Sequence, residues 1–307
     1  METLFDNYIS DCMYTKQLRP DTLKSYQAVF KCFIKVMPEL KSPKDIQPHT
    51  LSLFYKRLAT RERLVGRKMV RGALRPSTIK TYYSKLMAYF RWLEHFEYMD
   101  KGVTDKIPKP PEPVYEDERA LSHEDISKLI ATIGLHTMDD YLMFQRDMLI
   151  ISFCIYSGLR RRELLGLQIQ DIDLRSKTIR VNAKTSKSKK NRFIPLHPEL
   201  LHQVESHLKE RRLRSLKCPY IIISTTKDAQ LSIYGLKHWV ERYRKLSGVR
   251  FHIHQTRHTF ACSLAQSGAD IATIMKALGH STTRMTERYL RSITPEQARG
   301  YIEKLSY

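Results

Sequence analysis

Four prolines fall within six residues at Ile107-Pro108-Lys109-Pro110-Pro111-Glu112-Pro113, and no other feature restricts the fold of this chain as much. Each proline fixes φ, removes a backbone donor and pushes its predecessor out of the helical region. A run this dense is extended and semi-rigid, which makes it a connector and not part of a core. The 307 residues exceed one ordinary domain, and a hydrophobic content of 42% suffices for two cores. The chain therefore reads as a first domain over 1–105, a linker over 106–117 and a second domain over 118–307.

The first domain carries a local repeat. Leu18-Arg19-Pro20-Asp21-Thr22-Leu23-Lys24-Ser25-Tyr26 returns as Leu74-Arg75-Pro76-Ser77-Thr78-Ile79-Lys80-Thr81-Tyr82. Each copy opens a helix with proline in the first turn, where a missing N–H costs nothing. Behind them, Tyr26, Val29, Phe30, Phe33 and Met37, then Tyr82, Leu86, Tyr89, Phe90 and Leu93, recur at helical spacing. The expectation is a small all-helical bundle. The basic segment Arg61 to Arg75 between its helices reads equally as a DNA-contacting loop or a solvated one.

The second domain opens at Ser122, which with Asp125 forms a capping box for a helix that turns Ile126, Leu129, Ile130 and Ile133 inward. Further helices follow. Thr178 to Ala183 and Arg192 to Leu196 read as strands joined by the turn Lys184-Thr185-Ser186-Lys187-Ser188-Lys189-Lys190, and Tyr220 to Ser224 as a third strand. Asp270 is placed to cap a helix with Ile271, Ile274, Met275 and Leu278 on its inner face, and Gly279 to end it. Thr294-Pro295-Glu296-Gln297 begins a last helix over 295–306, too short to stand alone. It either completes its own core or docks on a neighbouring protomer.

The same half collects Arg160, Lys184, His254, Arg257, His280 and Tyr289, a set suited to phosphoryl transfer. A phosphodiester under attack gathers negative charge on its non-bridging oxygens, so the protein acts by positioning and by electrostatics. Two guanidiniums, permanently charged and planar, can each hold two oxygens. A phenol with pKa about 10 needs nearby positive charge or a base before it can attack, and the leaving sugar oxygen needs a proton. Tyr289 suits the first role and Lys184 the second. His254 and His258, four residues apart, also raise a metal reading, but no cysteine or carboxylate pair completes a zinc set.

These motifs in this order resemble the tyrosine recombinase (integrase) family, Xer-type and phage enzymes included. Gly158-Leu159-Arg160 with Glu163 is similar to the first-arginine box, and Lys184 lies where the hairpin lysine belongs. His254-Gln255-Thr256-Arg257 is similar to the H-x-x-R box, and Leu278-Gly279-His280 leads through Thr286 to Tyr289. The sequence departs from the family pattern at Arg162 and at Ala183-Lys184-Thr185, neither of which removes a catalytic group. The resemblance implies a mainly α fold with a small β-sheet, in which a helical, SAM-like core-binding domain and a catalytic domain form a C-shaped DNA clamp. It implies Tyr289 as nucleophile, Arg160 and Arg257 on the phosphate, His254 and His280 assisting, Lys184 as general acid and Glu163 in support. It further implies a 3′-phosphotyrosyl intermediate, a Holliday junction, no metal and no cofactor. The partner would be double-stranded DNA with an inverted-repeat core site, bound by a homo-tetramer that is a monomer or weak oligomer when free.

Charge agrees with such a partner. Against 32 Asp+Glu stand 53 Lys+Arg, a formal net charge of +21, the footprint of a protein that covers many phosphates. Lys24, Lys80, Arg161, Lys187, Lys189 and Lys190 are the candidate DNA contacts. Five scattered cysteines without a C-x-x-C pair, no signal sequence and no apolar stretch of spanning length predict a cytoplasmic protein without a membrane partner. The chain enters its first domain almost at once, an expectation against a separate arm-site domain. Integration or excision of a mobile element and Xer-type resolution both remain open. Competing readings are a type IB topoisomerase and a non-catalytic DNA-binding regulator.

Overall fold

Both copies of the repeat begin helices. In the computed structural model, which describes residues 1–65, 68–112, 119–183 and 190–290, Arg19 and Arg75 hold extended backbone (ψ 147° and 139°), and Pro20 and Pro76 start α2 (Pro20–Val36) and α4 (Pro76–His95). The extended residue is what a following proline requires. The remainder of this unit, Met1–Tyr115, is α1 (Glu2–Ser10) with a π turn behind it, α3 (Thr50–Thr60), a hairpin of β1 (Arg63–Val65) and β2 (Lys68–Val70), and the short α5 (Val103–Lys106). The segment Arg61 to Arg75 thus contains a hairpin where its basic composition predicts a loop.

Aromatic rings fill its core. Phe5 stacks on Phe30 with centroids 3.8 Å apart, Tyr89 meets Phe5 edge-on at 5.1 Å, and Phe33 meets Phe54 at 5.3 Å. Phe33, Phe54, Phe90 and Leu93 are completely buried, each worth roughly 1.5–3 kcal/mol of transfer energy. This is the helical periodicity of α2 and α4 expressed as packing.

The second unit, Glu116–Tyr307, is built around α7 (Tyr141–Tyr156). Leu149, Ile150, Ile151 and Phe153 are all fully buried, so the C-terminal half of the helix is apolar on nearly every side and must be enclosed. Around it lie α6 (His123–Thr137), α9 (Pro198–Leu213) and α11 (Ile253–Gln266), with α10 (Ile233–Ser247) against α6. The Ser122–Asp125 capping box is present. Short α8 (Arg161–Leu165) leads to an antiparallel sheet of β3 (Ile172–Asp173), β4 (Thr178–Val181) and β5 (Arg192–Pro195), in that order. Ile179 pairs with Ile194 and Val181 with Arg192.

One strand is corrected. Tyr220 to Ser224 forms isolated bridges only, Gln168 with Tyr220 and Ile223 with Gln230, and the third strand is Ile172–Asp173. Ile221, Ile222 and Ile223 are all completely buried, and side chains of α9 satisfy the backbone there: His207 Nε2 meets Ile221 O at 3.1 Å and Arg211 donates to Tyr220 O. The remaining groups bond to two separate segments, Ile221 N–H to Leu167 O and Leu231 N–H to Ile222 O, so neither side extends into a ladder.

The unit continues with α12 (Ile271–Leu278), capped by Asp270 Oδ1 accepting from Thr273 N–H at 2.6 Å, and α13 (Arg284–Leu290), which packs on α11 and α12. Gly279, at φ +63°, closes α12, and His280 N–H reaches back to Met275 O at 3.0 Å. The chain is thus mainly helical with a small sheet. Lys184, Lys187, Lys189, residues 113–117 of the expected linker and the expected helix 295–306 lie outside the described residues. Among those residues no helix is long and apolar enough to cross a membrane.

Candidate active site

The end of α12 organises the site. Three successive carbonyls there each accept from a different arginine: Ala277 O from Arg192 Nε at 2.9 Å, Leu278 O from Arg257 Nη2 at 2.7 Å, and Gly279 O from Arg160 Nη2 at 3.3 Å. The last carbonyls of a helix lack intrahelical partners and carry its negative end, which favours cations. Here β5, α11 and the start of α8 each send one.

Glu163 is the shared anion. It is 1% exposed, on α8. Its Oε1 accepts from Arg160 Nη1 at 3.0 Å and Arg192 Nη1 at 3.1 Å, while Oε2 accepts from Arg160 N–H at 2.9 Å and Arg192 Nη2 at 2.8 Å. Four donors fill the roughly four lone-pair sites of a carboxylate. Burial would raise the Glu163 pKa, but the hydrogen bond and charge of Arg192, with those of Arg160, outweigh it and hold the carboxyl below its usual range.

Arg257, 2% exposed, is framed by carbonyls. Besides Leu278 O it donates from Nη1 to Gly158 O at 2.7 Å, and Nη1 stays 4.0 Å from Glu163 Oε2. Burial lowers its pKa to about 9, aided by the charge of Arg160 and opposed by Glu163, which still leaves the guanidinium charged at neutral pH. Gly158 permits this approach: it sits at φ +58°, and a Cβ there would collide with the Phe260 ring.

Arg257 Nη2 also lies 3.1 Å from His280 Nε2, and His280 Nδ1 lies 2.9 Å from Thr286 Oγ1. A guanidinium can only donate, so Nε2 accepts and Nδ1 carries the proton towards Thr286. Tyr289, 3% exposed, packs among Ala261, Cys262, Ile274 and Leu278. Its ring lies 6.2 Å from that of His280 and 5.2 Å from that of His258.

Five expected residues, Arg160, Glu163, Arg257, His280 and Tyr289, are thus gathered in one place. His254 is exposed in the first turn of α11 and, with Arg160, Arg161, Leu159, Val240 and Arg257, lines a cleft of about 440 Å³. Lys190 is exposed where the described chain resumes, and Lys24 is exposed on α2. Lys80 is ion-paired to Glu112, so its charge is partly committed within its own unit. His258 is buried with Cys262 Sγ 3.5 Å from its Nε2, and among the described residues no trio of His, Cys, Asp or Glu could hold a metal.

Sequence reasoning overlooked Arg192, and gave Thr286 no role. The signal for Arg192 was parity: in Arg192-Phe193-Ile194 the first and third side chains face inward and Phe193 is 62% exposed. An arginine on the buried face of a strand requires an anionic partner.

The phage integrase family matches residues 119–295, and the chain belongs to that family, the tyrosine recombinases. With membership comes the activity of a site-specific recombinase, an enzyme that breaks and rejoins DNA strands. The chain is 30% identical over 222 residues to tyrosine recombinase XerA of Pyrococcus horikoshii, covering 71% of this chain and 70% of that one. It is 26% identical to a tyrosine recombinase of Pseudothermotoga lettingae, across 97% of this chain and 96% of that one. The fold is also that of the Tn1549 transposon integrase solved in complex with transposon right end DNA, at TM-score 0.73 and 16% identity over 99% of both chains.

Proposed function

We propose that Tyr289 cuts one DNA strand at a time by attack on a phosphodiester clamped by Arg160 and Arg257. The Tyr289 O–P bond forms as the P–O5′ bond breaks, leaving a 3′-phosphotyrosyl bond and a free 5′-hydroxyl. His254 takes the tyrosine proton, His280 assists by holding Arg257 through its Nε2 so that charge on the phosphoryl oxygens is stabilised, and Lys184 supplies the proton that the leaving oxygen takes. The phosphotyrosyl bond keeps the energy needed for rejoining, so strand exchange through a Holliday junction requires no nucleotide cofactor. The observation that carries this reading is the convergence of both guanidiniums and His280 beside Tyr289 of the same chain.

Two strands must be exchanged at each of two sites, which calls for four active sites and hence a homo-tetramer on synapsed DNA. Lys24, Lys80, Arg161, Lys187, Lys189 and Lys190 extend the positive surface along the duplex, which the net charge of +21 favours. The helical first unit provides the core-site contacts, and the segment 295–306 docks on a neighbouring protomer in the assembly. The protein works in the cytoplasm, on an inverted-repeat core site of a mobile element or a chromosome.

The test uses nicked suicide duplexes carrying candidate core sites, incubated with wild type and Tyr289→Phe. Wild type alone should leave protein covalently joined to a 3′ DNA end on a denaturing gel. Tight binding by both proteins with no adduct from either would overturn the reading in favour of a DNA-binding regulator.

A further inference from the structure

We propose that Arg192 is a positioning residue for strand cleavage, one that keeps Glu163 from drawing Arg257 out of its place. The inference rests on the phosphate-clamp role given above to Arg160 and Arg257.

Arg192 fills one acceptor site on each oxygen of a carboxylate that is 1% exposed. Without those donors the two sites would stand unpaired in a buried environment, which is costly for a charged group. The nearest replacement is already at hand. Arg257 Nη1 lies 4.0 Å from Glu163 Oε2, too far for a hydrogen bond but within reach of a small side-chain shift. Such a shift would pull Nη1 from Gly158 O and Nη2 from Leu278 O and from His280 Nε2. The clamp would then face Glu163 and turn away from the phosphate.

Arg192 is suited to prevent this because it is itself held. Its Nε is tied to Ala277 O at 2.9 Å, its side chain passes against Gly279, and its backbone is fixed opposite Val181 in the sheet. It therefore meets Glu163 with a rigid fork. Lysine could supply the charge but not the two parallel bonds. Arg192 touches no reacting atom on this reading and acts wholly through Glu163 and Arg257.

The test compares single-turnover adduct formation by wild type, Arg192→Lys and Arg192→Gln on three suicide substrates, with DNA binding and thermal melting measured in parallel. On an ordinary phosphodiester both variants should bind DNA and cleave about 10²-fold more slowly, the usual effect of a reacting group displaced by an ångström. A methylphosphonate at the scissile position removes one negative oxygen and so relaxes the need for the clamp; there the ratio to wild type should shrink to within about tenfold. A bridging 5′-phosphorothiolate, whose leaving group needs no proton, should leave the ratio unchanged.

Cleavage at the wild-type rate by Arg192→Lys would overturn the proposal. So would rescue by the phosphorothiolate alone, which would assign Arg192 to the lysine turn beside it. Loss of cooperative melting and of DNA binding in both variants would reduce Arg192 to a structural residue. If wild type itself forms no adduct while binding DNA, the recombinase mechanism fails first and the Arg192 variants are not the cause.

Discussion

The ring of Tyr289 lies nearly parallel to that of His280, with centroids 6.2 Å apart and planes 17° apart. Both belong to one chain. The charge of an ionised Tyr289 is also felt by Arg257, whose protonated form it favours. Tyr289, His280 and Arg257 are therefore arranged as one electrostatic unit.

Tyr289→Phe should abolish covalent adducts while leaving DNA affinity and folding almost unchanged. The ring is 3% exposed in an apolar pocket, which phenylalanine fills equally well. Loss of the hydroxyl alone should cost about 1 kcal/mol or less, measured by urea unfolding.

Thr286→Val removes the partner of His280 Nδ1 with little change of shape at a side chain that is fully buried. The imidazole then loses the contact that fixes its tautomer. Single-turnover cleavage should fall about tenfold, in the range seen when a supporting hydrogen bond is removed, and Thr286→Ser should restore most of it.

Two glycines at positive φ separate strain from collision. At Gly248, φ +72°, an added Cβ meets nothing within 4 Å, so Gly248→Ala should cost only about 1 kcal/mol and leave cleavage intact. At Gly158 the Cβ runs into Phe260 and approaches Leu278 Cδ2 at 3.1 Å. Gly158→Ala should cost about 2–4 kcal/mol and slow cleavage as well, because Gly158 O holds Arg257. Equal effects of the two substitutions in unfolding and adduct assays would contradict this account.

His207 sets an acid limb of stability. Burial, reinforced by the charge of Arg211, lowers its pKa from 6.5 to about 4, against the raising effect of its bond to Ile221 O. The folded state thus prefers the neutral ring. Its contribution is complete above pH 6.5 and is lost as pH falls from there towards 4. The shift corresponds to about 3 kcal/mol. His207→Gln, which keeps a donor for Ile221 O, should flatten that part of the stability profile; Glu163, whose folded pKa lies below 4.5, adds a further decline at lower pH.

Truncation after Ser292 should leave core-site binding largely intact and eliminate synapsis and strand exchange. A gel-shift titration beside a recombination assay tests both halves. Full recombination by the shortened chain would assign residues 295–306 no part in assembly.

Much of this was legible in the residues because the determining physics was local. Pro20 and Pro76 open their helices, Ser122 and Asp270 cap theirs, and Gly279 ends α12, each through contacts within a few positions. The buried faces of α2 and α4 follow from spacing alone. What escaped depended on partners distant in sequence. Tyr220 to Ser224 reads as a strand, but His207 and Arg211 occupy the Ile221 and Tyr220 carbonyls, and its remaining backbone bonds go to Leu167, Leu231 and Ala229. Arg192 is an unremarkable basic residue of a basic segment until Glu163, from another element, is placed beneath it. Glu163 itself was legible only as a neighbour of Arg160, because the sequence does not reveal how many cations share one anion.

The three carbonyls at the end of α12 have a mechanical meaning. Ala277, Leu278 and Gly279 tether side chains from β5, α11 and α8, so one displacement of a single short helix would break a hydrogen bond of all three at once, leaving Arg160 and Arg192 on Glu163 and Arg257 on Gly158 O. Only residues 279–283 separate α12 from α13, which bears Tyr289, so the helix that anchors three arginines is tied by a short connection to the one that carries the tyrosine.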